Sequence, residues 1–285
     1  MGVAQVLLSG ICFGFLGVFG KAAYRAGLTP GELLSLRFLI GGILLGAWFA
    51  VTAPRKLRLR ARDLRSCALL GVFGYAVFST CFFHALAGLS VSLTVLLLYA
   101  YPVLVAGGAA LLFKERIPRD RWVAIPIVMG GLLLLIWGDF QVLNPVSLVY
   151  GLGSAVFYAA YILASSRWLK GVDPAASVVY IQLSAGLTLA AFHLHDGARL
   201  VRIVTDAWPT LLATALVCSV AAMSLFLAGL QKLKAWEVSI LSTAEPVTSI
   251  ALAAFFVGER LSMAQSVGAV FVLMAFVLVA RPTPS

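Results

Sequence analysis

Apolar residues run along this chain in long blocks, separated by short polar stretches rich in Arg, Lys, Gly and Pro. Windows of about 20 residues predict ten helices, at about 3–20, 32–52, 66–87, 91–113, 122–138, 145–166, 174–192, 208–230, 237–257 and 262–280. The block 66–113 fixes the reading. Its 48 residues hold no formally charged side chain, only His84. As one helix it would extend about 72 Å, against a hydrocarbon core about 30 Å thick. It is therefore two spans, with the turn at Gly88-Leu89-Ser90. Ten spans take about 200 residues, so the rest of the chain supplies only short loops and no extramembrane domain.

Composition removes the alternatives. Hydrophobic residues make up 62% of the 285, mean hydropathy is +1.03, and charged residues are 11%, against about 25% in soluble domains. A soluble enzyme and a disordered chain are both excluded, because neither exposes so much apolar surface to water. The net charge of +10 does not point to nucleic acid. The basic run Arg55–Arg62 lies between two apolar blocks, where it reads as a cytoplasmic loop in contact with anionic lipid. The expected partners are thus the lipid bilayer and a small-molecule substrate. With ten spans, 15 of the 21 Lys and Arg residues fall on the side of the two termini, 5 on the other and Arg37 within a span, which predicts cytoplasmic termini. The first apolar stretch reads as a retained span, without the basic start and cleavage site of a signal peptide. Cys12, Cys67, Cys81 and Cys218 form no metal-binding or disulfide pattern. His193, His195 and Asp196 are too few for a metal site, and Gly14–Lys21 misses the phosphate-binding loop spacing by one residue. No metal or cofactor is expected, and any driving force for work is a gradient.

The chain repeats itself. Gly27-Leu28-Thr29-Pro30 matches Gly171-Val172-Asp173-Pro174, Pro102 matches Pro246, and Glu115-Arg116 matches Glu259-Arg260, each at an offset of 144. Ala87-Gly88-Leu89 matches Ala228-Gly229-Leu230 at 141. Residues 1–141 and 142–285 are accordingly two repeats of five spans. Five is odd, so the second copy crosses the membrane upside down. The expected fold is an all-α integral membrane protein of ten transmembrane helices in two inverted repeats, able to work as a monomer. Inverted repeats let two halves exchange shapes, which is how alternating access arises. An intramembrane enzyme acting on lipid would instead need several acids, histidines or a nucleophile at one depth.

The paired five-span halves, the mid-span proline of each and the following Glu-Arg resemble the drug/metabolite transporter superfamily, in its EamA-type branch. Glu245-Pro246 with Gly258-Glu259-Arg260-Leu261, Gln265 and Gly268 is the nearer match, Tyr101-Pro102 with Lys114-Glu115-Arg116 the looser one. Within that superfamily the aromatic-rich spans are similar to the YddG-type bacterial exporters of aromatic amino acids. The resemblance implies a metabolite exporter of the bacterial inner membrane. Its alternatives are carriage of another solute, such as a cationic drug or nucleotide sugar, on the same scaffold.

Glu245 is the sharpest candidate, about 12 Å into its span, where an ionisable group faces a cavity or a partner. It would hold a substrate ammonium or a coupling proton; the alternative is a carboxyl bonded to a neighbouring helix. Ser239, Ser242, Pro246 and Ser249 form one polar stripe on the same helix, serving either the site or helix–helix hydrogen bonds. Pro102 and Pro246 leave the carbonyls of Leu98 and Ser242 without their helical donors, so each helix is expected to bend or open near mid-membrane. Tyr99, Tyr101, Tyr158 and Tyr161 are expected to stack on the apolar part of a solute, against ordinary packing. His84 is placed with the substrate-binding candidates, as a proton relay or a structural histidine. Arg37, about 8 Å into its span, is read as snorkelling to the interface, with a substrate-carboxylate clamp as the minor alternative. The expected site lies between the fourth and ninth spans, at the two prolines.

Overall fold

The computed structural model describes residues 1–138, 140–257 and 262–280. Among these, nine helices are long and apolar enough to cross a membrane: α1 (Gly2–Arg25), α2 (Pro30–Thr52), α3 (Ala61–Leu86), α4 (Val91–Phe113), α6 (Val146–Trp168), α7 (Pro174–His193), α8 (Gly197–Leu230), α9 (Ala235–Phe256) and α10 (Met263–Ala280). The shorter α5 (Ala124–Leu135) completes the order. All ten expected helices are present, and four have clearly different limits: α1 reaches Arg25 rather than 20, and α3 starts at Ala61 rather than 66. α5 has 12 residues, about 18 Å, rather than the expected 17. α8 starts at Gly197 rather than 208. Its first turns carry Arg199, Arg202 and Asp206, which depress a hydropathy window but suit an amphipathic helix end.

Local signals set the helix starts. Thr29 and Glu32 form a capping box at α2, Asp173 accepts from the Ala176 amide at α7, and Ser262 and Gln265 cap one another at α10. The turns before α2 and α7 contain Gly27 at φ +98° and Gly171 at φ +81°. Both lie in the left-handed region open to glycine, and they are 144 residues apart.

The most extensive pairings among helices map onto themselves when α1–α5 are exchanged with α6–α10. α2 packs on α7, α4 on α9 and α5 on α10. The α1–α8 contact answers α6–α3, α1–α9 answers α6–α4, and α2–α8 answers α7–α3. Where α2 crosses α7, a Cβ on Gly42 would lie 2.9 Å from the Leu183 side chain, and one on Gly186 would lie 3.0 Å from the Leu39 amide nitrogen. Gly42 pairs with Gly186 and Leu39 with Leu183 at the same offset of 144. Backbones meet this closely in lipid because dispersion contact, not hydrophobic expulsion, holds the helices together.

Both α4 and α9 are broken. α4 runs to Leu98, turns at Tyr99 and Ala100, and resumes at Tyr101. α9 runs to Leu241, turns at Ser242 and Thr243, and resumes at Ala244. Each break falls just before the proline expected to cause it. The carbonyl of Ser242 is recovered by a shorter-range bond from the Glu245 amide, 3.1 Å. A second paired irregularity has no signature in the sequence: a π-helical segment in α3 at Leu70–Ala76 and another in α8 at Leu216–Ala221. Trp48, Trp122, Trp137 and Trp168 are exposed near helix ends, as at a bilayer interface, and Trp208 is exposed just past the polar first turns of α8.

Candidate functional site

A cavity of about 200 Å³ lies among α1, α2, α3, α4, α6 and α9, many times the space one water needs. Its α2 wall descends through Pro30, Leu33 and Leu34 to Arg37, and its α3 wall through Phe83, Phe82 and Phe78 to Tyr75. Leu98, Tyr99, Tyr101, Tyr158 and Glu245 line its deep end. The cavity therefore runs from mid-membrane to the face bearing the α1–α2 and α3–α4 turns. Towards the other face the packing is closed: Phe38, Ile181, Ile240, Trp236 and Tyr161 are all at most 2% exposed.

Arg37 is buried, at 3% exposure. Among the described residues its Nε and Nη1 have no hydrogen-bond partner, and its guanidinium lies over the Phe38 ring at 4.6 Å. It does not snorkel. Arg37 sits a third of the way into α2, buried and lining the cavity. Glu245 is half-buried, and its carboxylate opens into the same cavity. No ion pair joins the two among the described residues, so one cationic and one anionic group remain available in one chamber.

Rings connect the helices that carry these charges. Tyr75 meets Phe38 at 5.0 Å, Phe78 at 4.9 Å and Tyr161 at 5.3 Å, all edge to face. Tyr158 meets Tyr101 at 4.7 Å and stacks with Tyr161 at 6.2 Å. Such geometries follow the ring quadrupole. The Tyr101 hydroxyl donates to the Ser239 carbonyl at 3.3 Å, which ties the α4 break to α9. Tyr75 lies in the π segment, beside Gly74, where a Cβ would approach Tyr161 to 2.8 Å.

A second cavity of about 480 Å³ lies on the other side of Tyr99 and Glu245, lined by Lys21, Ser92, Pro246, Ser249 and Gln265 among others. Glu245 and Tyr99 thus form a wall common to both spaces.

The structure brings together Glu245, Tyr99, Tyr101 and Tyr158 of the sequence candidates. It separates the others. Tyr161 supports the wall from behind without lining it. Pro102 is buried in packing, and Pro246 borders only the second cavity. Ser242 spends its hydroxyl on the Val238 carbonyl at 2.7 Å, Ser239 bonds within the same helix, and Ser249 bonds across to the Gly14 carbonyl of α1, so the three hydroxyls of the stripe are all engaged by backbone. His84 is exposed and stacks on Tyr150 at 5.0 Å, away from the cavity. The chamber is not centred on the two prolines: its walls come mostly from α1–α3, so only the floor belongs to the broken helices. Sequence reasoning missed Tyr75, Phe78 and the α2 wall. The signal for Arg37 was present, since it is an ionisable group within a span, but its depth alone favoured the interface. Glu115 pairs with Arg167 at 3.2 Å as an ion pair at the α4 end. Glu259 and Arg260 lie outside the described residues.

The EamA-like transporter family matches residues 1–137 and again residues 146–281. The chain belongs to the EamA-like transporter family. It is similar to the uncharacterized transporter YcbK of Bacillus subtilis, 25% identical over 94% of this chain and 88% of that protein. It is also similar to the uncharacterized transporter YwfM of the same organism, 27% identical over 96% and 92%. The pseudopaline exporter CntI of Pseudomonas aeruginosa is 28% identical over 76% of this chain and 74% of that protein. A crystal structure 18% identical in sequence superposes with a TM-score of 0.84 over 98% of this chain and 96% of that one, which shows the same fold. The chain is thus a multi-pass inner-membrane transporter of small molecules, not an enzyme.

Proposed function

We propose that this transporter exports zwitterionic organic metabolites, amino acids with aromatic or other apolar side chains foremost, by alternating access. One observation carries the reading: a buried guanidinium with two unpartnered donors and a cavity-facing carboxylate occupy one tyrosine-lined chamber. Arg37 takes the substrate carboxylate, a planar fork matched to a planar acceptor. Glu245 takes the ammonium, and Tyr99, Tyr101 and Tyr158 accept the apolar part against their rings. A cationic drug would place its charge in the same chamber as Arg37. A nucleotide sugar would bring two phosphates to the wall that holds Glu245. Neither fits the pair of opposite charges.

The exchangeable helix pairings and the double family match support two inverted repeats, 1–141 and 142–285, rocking about the α2–α7 crossing. With cytoplasmic termini, as the Arg and Lys distribution indicates, the chamber described here faces outward. Both repeats lie in one chain, so a monomer suffices. The exporter name of one relative supports the direction. Purified protein in liposomes, loaded with an aromatic amino acid, should exchange it for labelled external substrate. The matched amine without its carboxylate and the acid without its amine should each exchange poorly. Equal exchange of the amine and the amino acid would refute the zwitterion reading.

A further inference from the structure

On the face where the chain begins, a polar groove of about 520 Å³ lies between the α2–α3 linker with the first turn of α3 and the end of α6 with the α6–α7 turn. Arg58, Arg60, Arg62, Arg167 and Lys170 line it, against Asp63 and Asp173, a net excess of three positive charges. The acids do not neutralise the basic side chains in the groove. Asp173 is engaged by Lys56 at 3.1 Å and by the Ala176 amide. Among the described residues, Arg58, Arg60, Arg62 and Lys170 have no ion-pair or side-chain hydrogen-bond partner, and all four are exposed. Trp168, 48% exposed, borders the same groove.

We propose that this groove binds the phosphate headgroup of an anionic phospholipid. Three facts select that ligand. The charges converge from two linkers into a concave space, where their potentials add and the low-dielectric wall focuses them. Arginine forks suit phosphate oxygens bidentately. The groove stands level with the ends of α3, α6 and α7, beside an exposed tryptophan, and that is the headgroup depth at which lipid phosphates are already concentrated. The basic run of the second loop therefore acts as part of a built site shared by both halves, because Arg167 and Lys170 come from the second. A lipid seated there bridges the two linkers across which the halves meet.

Native mass spectrometry of the full chain in detergent reads the site, with phosphatidylglycerol and inorganic phosphate as the two probes. Near a membrane surface each basic residue adds about fivefold to affinity. Arg58→Gln/Arg60→Gln/Arg62→Gln/Lys170→Gln should therefore weaken phosphatidylglycerol retention by two to three orders of magnitude. Should the fourfold variant not purify, Arg58→Gln/Arg60→Gln and Arg62→Gln/Lys170→Gln should each weaken it by about thirtyfold. The control Arg55→Gln/Arg65→Gln/Lys232→Gln/Lys234→Gln removes the same charge from the same face outside the groove, and it should retain the lipid within a few fold. Millimolar inorganic phosphate should not displace it. Equal loss in groove and control variants means diffuse attraction and overturns the proposal. Unchanged retention in the groove variant overturns it, and so does displacement by inorganic phosphate, which would assign the groove to a soluble anion.

Discussion

Replacing Arg37 with Gln separates binding from stability. Nε and Nη1 have no partner among the described residues, so the substitution breaks no hydrogen bond at those two atoms, and it forfeits the contact with the Tyr75 hydroxyl and the attraction of Glu245. It forfeits the contact with the Phe38 ring at 4.6 Å, about 0.5–1 kcal/mol. It also removes a buried cation that has no direct ion pair among the described residues, whose insertion costs about 2.5–3.5 kcal/mol. With the Tyr75 and Glu245 contacts also lost, gains and losses nearly cancel, so its melting temperature should stay close to that of the wild type. Binding moves the other way. Truncating one partner of a buried, hydrogen-bonded charge pair costs about 2–5 kcal/mol, which is about thirtyfold to several thousandfold in Kd. The assay is a pair of titrations, of an aromatic amino acid and of the amine lacking its carboxylate, followed by tryptophan fluorescence or calorimetry beside a thermal melt. The loss should appear for the amino acid alone, and Arg37→Lys should restore part of it, as a point charge without the fork. Equal affinity of Arg37→Gln and wild type for the amino acid refutes the assignment. A loss shared by the amine, or a collapsed melting temperature, shows that Arg37 holds the helices rather than the ligand.

The other expectations are as direct. Glu245→Gln should reverse the pattern, weakening the amine and the amino acid while sparing the acid that lacks an amine, by the same titrations. In a background without the four native cysteines, Ser79→Cys on the cavity wall should react with an impermeant thiol reagent added outside and be protected by substrate, whereas Ser239→Cys, fully buried, should stay unlabelled. Gly268→Val should cost about 3 kcal/mol, the top of the overpacking range, because its Cβ would lie 2.6 Å from the Gly131 carbonyl oxygen and the Leu135 amide nitrogen; Gly107→Ala, with nothing within 4 Å, should leave the thermal melt unchanged. Asp173 supplies a pH test. Burial opposes its ionisation, but the Ala176 amide and Lys56 outweigh that and hold the carboxyl below the ordinary value of 3.8. A lowered value stabilises the fold above the unfolded pKa and ceases to do so as pH falls through the folded one. The stability gap between wild type and Asp173→Asn should thus be full at neutral pH and close progressively below about pH 4; a gap unchanged at pH 3 would refute the linkage.

The sequence by itself determined the number of helices, the internal repeat at an offset of 144, the turns at Gly27 and Gly171, and the opening of α4 and α9 before Pro102 and Pro246. These are decided locally: by a hydrocarbon thickness that every span must match, by backbone donors that a proline lacks, and by φ values that favour glycine. It also marked Glu245, since a carboxylate within a span must find a polar environment. The tertiary structure alone decided which residues share the chamber. Arg37 and His84 look alike in sequence, each a lone polar group near a span end. One turns into a cavity and the other stacks on an exposed tyrosine, and that choice depends on which helices cross beside them. The π segments that carry Tyr75 leave no period in a run already apolar on every face. The serine stripe of α9 had the right spacing for a site, yet its hydroxyls bond to carbonyls, because in a dry interior the nearest backbone acceptor wins. Spacing along a helix says which side chains share a face. What that face meets is set by the packing of the other nine helices, and no local rule of the chain encodes it.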